Sequence, residues 1–571
     1  MHIDIVPNRS SRPAVLLRHS FREGKKVRKK TIANLSDLPM DQVEAIRRVL
    51  RGEKLAPVTK LFAITKSRLH GHVRAVLTTM RRVRLDRLIA SRPSRERDLV
   101  MALVAARILE PEASKLETTR WWHSTTLPEE MGVADADEED LYAAMDWVLA
   151  HQPFIERKLA QRHLHDTGLV LYDLTSSYFE GHTCPLAQLG HNRDGKKGKL
   201  QVNYGVLTDI RGRPVSVSVF EGSTGDPKTL LPQVRKLQEE FGIRHVALVG
   251  DRGMISNKQI ASLEEDLYAG VHWVTALRSK AIGDLLEAGA IQLGLFDERN
   301  LFELTHPDYP GERLVVCRNP ELARLRGETR RDLIEATERE LRKVLGMVER
   351  GRLHGEDKIG VRLGKVVNKY KVAKHFLLEI RDDHFSYCID EERVAEETAL
   401  DGIYVVRTSL PAEVLGTEDA VRSYKLLAQV ERAFRTMKGI DLKVRPIRHH
   451  VEDRVRAHIF LCMLAYYVQW HMMEAWRPLL FADEDQEAKH TRDPVAPARR
   501  SDAALAKVHS HRLADGSQVH SFHSLLGSLQ SIVRNACRRR EAGEDEPTFD
   551  IDTDPDAHQS RAFQLLEGIT A

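Results

Sequence analysis

The sequence predicts a mixed α/β protein built on one large sheet, and three observations lead there. Five apolar, β-branched runs lie between Gly168 and Arg278, namely LVLYDLTSSYFE, VNYGVLTDI, PVSVSVFEG, HVALVGDRG and HWVTALR, separated by Gly, Pro and charged turns. Before them, Leu, Ile, Val and Ala recur at three-and-four spacing, which predicts helices from Val73 to about Leu164. After them a charged stretch, about Ala281 to Ala399, intervenes before GIYVVRTSL resumes the strand pattern.

Residues 1–72 begin with two β segments over 14–34 around Glu23-Gly24, a hairpin signal that puts the basic cluster of Lys25, Lys26, Arg28, Lys29 and Lys30 on the return strand. A short helix follows from Asp41, a suitable N-cap, to Leu50. The first 100 residues hold 24 Lys/Arg against 9 Asp/Glu while the whole chain carries only +4, so basic charge is concentrated at this end. Such a segment is an electrostatic footprint for nucleic acid, with a solvated basic face as the plain alternative. The helical stretch 73–166 is expected to dock or bind DNA. Residues 167–280 supply three meander strands, a helix over Pro232–Phe241 and a fourth strand, which is the order of an RNase H-like sheet. Residues 281–400 read as an inserted, largely β subdomain, with a charged helix Glu328–Arg350 among LVVCRN, HFLLEIRD and FSYCIDEE. Residues 401–481 complete the core with a helix around Glu431 and a buried apolar helix, Ile459–Met473. In 482–571 a charged, Pro-containing linker, Ala482–Ser501, leads to an amphipathic helix, SFHSLLGSLQSIVRNACRRR, and an acidic loose end.

Several function classes are disfavoured. The five cysteines are far apart and form no CxxC pair, which argues against a disulfide framework or a zinc site and fits a reducing compartment. No signal peptide and no apolar run of about 18 residues is apparent, so the expected location is the cytoplasm, on the nucleoid, with no membrane partner. GxxxxGK[ST] is absent, so no nucleotide cofactor is expected.

The chemistry rests on carboxylates. Asp173 and Asp251 each end an apolar run, and Glu431 lies in YKLLAQVERAFRTMK, read as one helix from Tyr424 to Lys438. Seven residues are nearly two helical turns, so Tyr424, Glu431 and Lys438 line one face, with Arg432 and Arg435 beside them. Glu431 is read as a buried carboxylate among phosphate-seeking groups. Two carboxylates about 4 Å apart repel by roughly 4 kcal/mol at an effective dielectric near 20, so a metal or protons must hold such a cluster. A few carboxylates suffice for Mg²⁺, and a pair of divalent ions serves phosphodiester chemistry. Taken singly, Asp173 also suits a turn or cap, and Glu431 an i,i+4 pair with Arg435. Expected phosphate contacts are Arg252 after the second Asp, Lys196, Lys197 and Lys199 in HNRDGKKGKLQVNYG, and Arg448 in the basic loop that also holds Arg445, His449, His450, Arg454 and Arg456.

These residues, with FREGKKVRKKTIANLS, LYDLTSSYFEG, GDRGM, DGIYVVRTS and DRVRAHIFLCMLAYY, resemble the bacterial insertion-sequence DDE transposases whose catalytic helix carries a Tyr-x-x-Arg-x-x-x-Glu-x-x-x-x-x-x-Lys signature. Tyr424, Glu431 and Lys438 match it, whereas Leu427 stands at the Arg position and Arg422, Arg432 or Arg435 would have to replace that contact. The resemblance implies an RNase H-like catalytic domain in which Asp173, Asp251 and Glu431 bind two Mg²⁺ ions, Mn²⁺ substituting. It also implies a homodimer in a synaptic complex on double-stranded DNA, acting at terminal inverted repeats and at target DNA. Water and then a freed 3′-hydroxyl would be the nucleophiles. A metal-dependent nuclease that does not join ends, and a catalytically idle DNA-binding repressor, are the alternatives.

Overall fold

The computed structural model describes residues 1–8, 11–53, 62–296, 300–487, 491–539 and 548–570. The chain divides into two compact units, one of residues 1–68 with 533–553 and one of 69–532 with 554–571.

In the first unit, strands His2–Val6, Ala14–Glu23 and Lys26–Asn34 form an antiparallel sheet, and Glu23 pairs with Lys26 across a turn that Gly24 makes at φ +63°. Ile3 and Val15 meet Val43 of the helix Met40–Leu50 in a small core. Lys25, Lys26, Arg28, Lys29 and Lys30 are exposed, Arg28 pairing with Glu23 at 2.6 Å and Lys29 with Asp4 at 2.9 Å. A second sheet joins Phe62–Leu69, Val533–Arg539 and Phe549–Asp552. The amphipathic helix expected over Ser521–Arg540 is thereby corrected. A helix covers only Phe522–Ser528, and the β-branched Ile532-Val533 opens a strand that pairs with Phe549–Asp552. Part of the expected acidic loose end, 540–547, lies outside the described residues, as do 488–490 of the expected linker; the helix Ala557–Glu567 follows instead of a loose end.

In the second unit, helices between Gly71 and His163 precede the large sheet, as the three-and-four spacing predicts. Its strands are β1 (Gly168–Tyr178), β2 (Gln201–Thr208), β3 (Pro214–Glu221), β4 (Val246–Val249), β5 (Val271–Ala276), β6 (Leu301–Leu304), β7 (Arg313–Arg318) and β8 (Ile403–Thr408), in the order β6-β7-β8-β5-β4-β1-β2-β3. β1, β2 and β3 form an antiparallel meander, and β4 and β5 add in parallel on the other side of β1. This is the RNase H-like order. β8, β7 and β6 then extend the sheet antiparallel.

The stretch 281–400 differs from the largely β insertion that the sequence predicts. β6 and β7 lie in the large sheet, because the run RLVVCR finds its partner in β8. The rest is mostly helical, Pro320–Glu349 and Glu356–Tyr370 with one hairpin, Phe376–Arg381 and His384–Ile389, around a core of its own that includes Leu341, Val344, Ile359, Leu363 and Phe385.

Two helices follow β8 on the way to the site, α1 (Thr417–Lys425) and α2 (Leu427–Lys438), and α3 (Glu452–Ala475) runs through the main core, buried continuously from Ala457 to Met472. Among the described residues no helix is long and apolar enough to cross a membrane.

Candidate active site

β1 and β4 run parallel, with Leu171 opposite Val249. Asp173 and Asp251 each follow that last pair by two residues, Asp173 within β1 and Asp251 in the turn after β4. β4 is buried throughout, whereas the residues of β1 stay buried past Asp173, from Leu174 to Ser177. Asp173 is partly buried, and Asp251 is exposed. Asp251 Oδ2 accepts from the Gly253 N–H at 3.2 Å and Oδ1 from the Tyr424 hydroxyl at 3.4 Å. Asp173 Oδ1 accepts from the Leu174 N–H at 2.8 Å.

α2 packs across β1 through Val430, Ala433, Phe434 and Met437, and Phe434 meets the Tyr204 ring edge-on at 5.9 Å. The expected single helix is two, because the chain turns at Leu426 between α1 and α2. The seven-residue spacing nonetheless matches a descent along the sheet. Tyr424 reaches Asp251, Glu431 is close enough to bear on Asp173 electrostatically, and Lys438 donates to Thr175 Oγ1 at 3.0 Å, two residues past Asp173 on β1. Glu431, expected to be buried, is exposed beside the apolar face of α2, and among the described residues it makes no ion pair with Arg435.

Electrostatics mark Asp173 as the strained member. Burial pushes its carboxyl up to about 7, the charges of Asp251 and Glu431 push the same way, and the Leu174 N–H and Arg193 oppose them. Burial, then Asp251, pushes the Tyr424 hydroxyl up to about 12. A sign follows for stability. Between about pH 4 and pH 7 folded Asp173 keeps a proton that the unfolded chain has released, so stability falls as pH rises through that window. Without divalent ions, thermal melting is expected to lose more stability from pH 5 to pH 8 in the native protein than in Asp173→Asn, by about 2–3 kcal/mol. Equal losses would show that this carboxyl titrates normally.

Lys438 does not stand free. Its ammonium pairs at 2.6 Å with Asp194, which is 1% exposed and also binds Arg445 and the Tyr178 N–H. Arg193 holds Asp226 through two 2.6 Å contacts, and a Cβ on Gly253 would lie 3.3 Å from Asp251 Oδ2 and 4.0 Å from Asp226 Oδ2, so Asp226 borders the site. Sequence reasoning misses Arg193, Asp194 and Asp226. Asp194 sits in a run that reads only as basic, and its signal is the turn NRDG, in which Asn192 Oδ1 accepts from the Asp194 and Lys196 N–H groups at 2.8 and 3.1 Å.

The other expected contacts scatter around this centre. Lys196, Lys197 and Lys199 are exposed on the loop after β1, Lys196 over the Tyr178 ring at 5.9 Å. Arg252, Arg432, Arg435 and Arg448 are exposed. Arg422 is taken up by Glu418 and Asp419. Among the described residues no three His, Cys, Asp or Glu side chains stand at metal-ligand spacing. The donor set nonetheless suits a hard divalent ion, with three oxygen-donor carboxylates whose mutual repulsion a cation would relieve.

The model of the transposase DDE domain matches residues 165–468, and that of the IS1634 family transposase N-terminal domain matches residues 3–57. Among solved structures the chain is similar to a piggyBac transposase synaptic complex with hairpin DNA, at 10% identity and a TM-score of 0.34, over 80% of this chain and 76% of that one. No curated protein matches.

Proposed function

The chain belongs to the DDE transposases of insertion sequences, and we propose that it cuts DNA at the terminal inverted repeats of its own element and joins the freed 3′ ends to target DNA. What supports this reading is that β1 and β4 pair in parallel up to Leu171–Val249, two residues before each aspartate, and that the charges of Asp251 and Glu431 both raise the Asp173 carboxyl. Asp173, Asp251 and Glu431 would hold two Mg²⁺ ions, with Mn²⁺ able to substitute, and bound there the ions would neutralise charge at the phosphorus and at the attacking and leaving oxygens. The chain's own groups orient the substrate. Arg252, Arg432, Arg435, Arg448 and the lysines 196, 197 and 199 reach for phosphates, while the Tyr424 hydroxyl fixes the Asp251 carboxylate. Lys438 ties α2 to β1, so the helix delivers Glu431 at a set height. The working form is a homodimer in a synaptic complex, in the cytoplasm on nucleoid DNA.

The test is an assay of duplexes ending in the element's repeats, with Mg²⁺ and a target plasmid. Cleavage that leaves 3′-hydroxyls, followed by joined products, is expected. Cleavage without joining would reduce the protein to a nuclease, and no end-specific cleavage would overturn the reading. The first unit's hairpin is proposed to hold DNA. Neutralising Lys25, Lys26, Arg28, Lys29 and Lys30 together is expected to weaken binding and flatten its salt dependence by about 0.9 in log-log slope for each phosphate that is no longer neutralised. An unchanged slope would remove the hairpin from the interface.

A further inference from the structure

The helix Gly71–Arg82 ends in a tight corner, where Arg84 takes φ +51° before the helix Leu85–Ile89. Val83, Leu85, Leu88 and Ile89 are buried beneath the corner and hold it rigid. Its outer side is almost all guanidinium. Arg81, Arg82, Arg84 and Arg162, with Ile569 and Thr570, line an opening of about 510 Å³, and Arg81, Arg84, Asp86 and Arg87 line a recess of about 330 Å³ that shares two of those arginines. Arg81, Arg82, Arg84 and Arg87 are exposed. Arg81 has only a 3.4 Å pairing with Glu130, and Arg82, Arg84 and Arg87 form no ion pair among the described residues. Arg162 serves the corner itself, donating to Val83 O at 2.6 Å and to the Tyr467 hydroxyl at 3.2 Å.

Like charges crowded on a concave surface repel each other and focus a positive potential outward, and an arginine fork fits a phosphate with two parallel hydrogen bonds. A small anion would engage one or two forks, whereas a phosphodiester backbone engages the row. We infer that this arginine-lined groove seats backbone phosphates of duplex DNA, a contact surface that shares no residue with the carboxylate site or the basic hairpin. The inference rests on the transposase reading only in naming DNA as the polyanion.

Arg81→Gln, Arg82→Gln and Arg87→Gln are made together in the full chain, sparing Arg84 at its left-handed φ and the Arg162 clamp. Binding to fluorescent duplexes, one an element end and one of scrambled sequence, is followed across salt concentration by anisotropy. The log-log slope is expected to become shallower by about two to three, because each phosphate contact contributes about 0.9. Affinity should fall by the same factor on both duplexes, since phosphate contacts carry no sequence information. An unchanged slope in a variant with native circular dichroism and melting overturns the proposal. Should the triple variant fail to fold, Arg82→Gln with Arg87→Gln is read the same way, with an expected change of about two. The hairpin variant is run in parallel. If it flattens the slope and the groove variant does not, the groove alone is wrong; if neither does, the DNA-binding reading of both surfaces falls.

Discussion

Asp173→Asn, Asp251→Asn and Glu431→Gln are each expected to lower strand cleavage by more than about a thousandfold, on the order of 4 kcal/mol or more of charge stabilisation. Each swap keeps the side chain's shape, so the fold should survive. Binding to element ends should stay within about threefold, because a carboxylate offers no donor to a phosphate and its removal relieves repulsion of the backbone. Asp173→Asn should have a second signature, since it deletes the group that burial and two like charges push up to about 7. The variant should therefore gain stability at pH 8 without divalent ions and lose the stabilisation that Mg²⁺ gives the native protein. Gel assays of cleavage, band shifts of end binding and melting with and without Mg²⁺ separate these effects. Robust cleavage by any one variant removes that residue from the chemistry.

Legibility follows burial. LVLYD and HVALVGD can be read as strands because a strand covered on both faces is a continuous apolar run; cover ends before Asp251, but β1 continues buried past Asp173 through Ser177, which the polar TSS run hides. The parallel register runs to Leu171 and Val249, two residues short of each aspartate. Long-range pairing is not legible. RLVVCR reads as a strand anywhere, and nothing local says that its partner is Ile403–Thr408, some 90 residues on. The segment after Ile532 escapes sequence reading for the same reason, since its pairing with Phe549–Asp552 and Phe62–Leu69 depends on distant chain. Spacing places Glu431 but does not give its exposure. Helical periodicity gives the angle around the axis, and the side of α2 that faces β1 is set by Val430, Phe434 and Met437 rather than by the acid. Composition hides Asp194, because a run with a net basic charge can still bury its one acid.

That buried acid carries the other large effect. Asp194 is 1% exposed and holds the Lys438 ammonium, itself 10% exposed, together with Arg445. Burial pushes the Lys438 ammonium below its usual range, and Asp194 is what opposes it. Replacing Asp194 by Ala strands two cations against the sheet, and breaking a buried pair from one side costs about 3–5 kcal/mol. Arg445, at 30% exposure, can turn to water, so the lower end of that range applies. Lys438→Met alone should cost less, because Asp194 keeps Arg445 and the Tyr178 N–H. With both changes, the destabilisation should fall short of the sum by about 1–2 kcal/mol, the coupling that residues in one network show. Urea unfolding of the four proteins measures this cycle, and additive effects would mean that the pair is not coupled. Lys438 also bonds Thr175 Oγ1, two residues past Asp173, so a variant that frees Lys438 loosens the grip of α2 on β1. Cleavage by Lys438→Met should therefore fall even where the protein is fully folded, and raising Mg²⁺ should recover part of it, because Glu431 would still be present but less firmly placed.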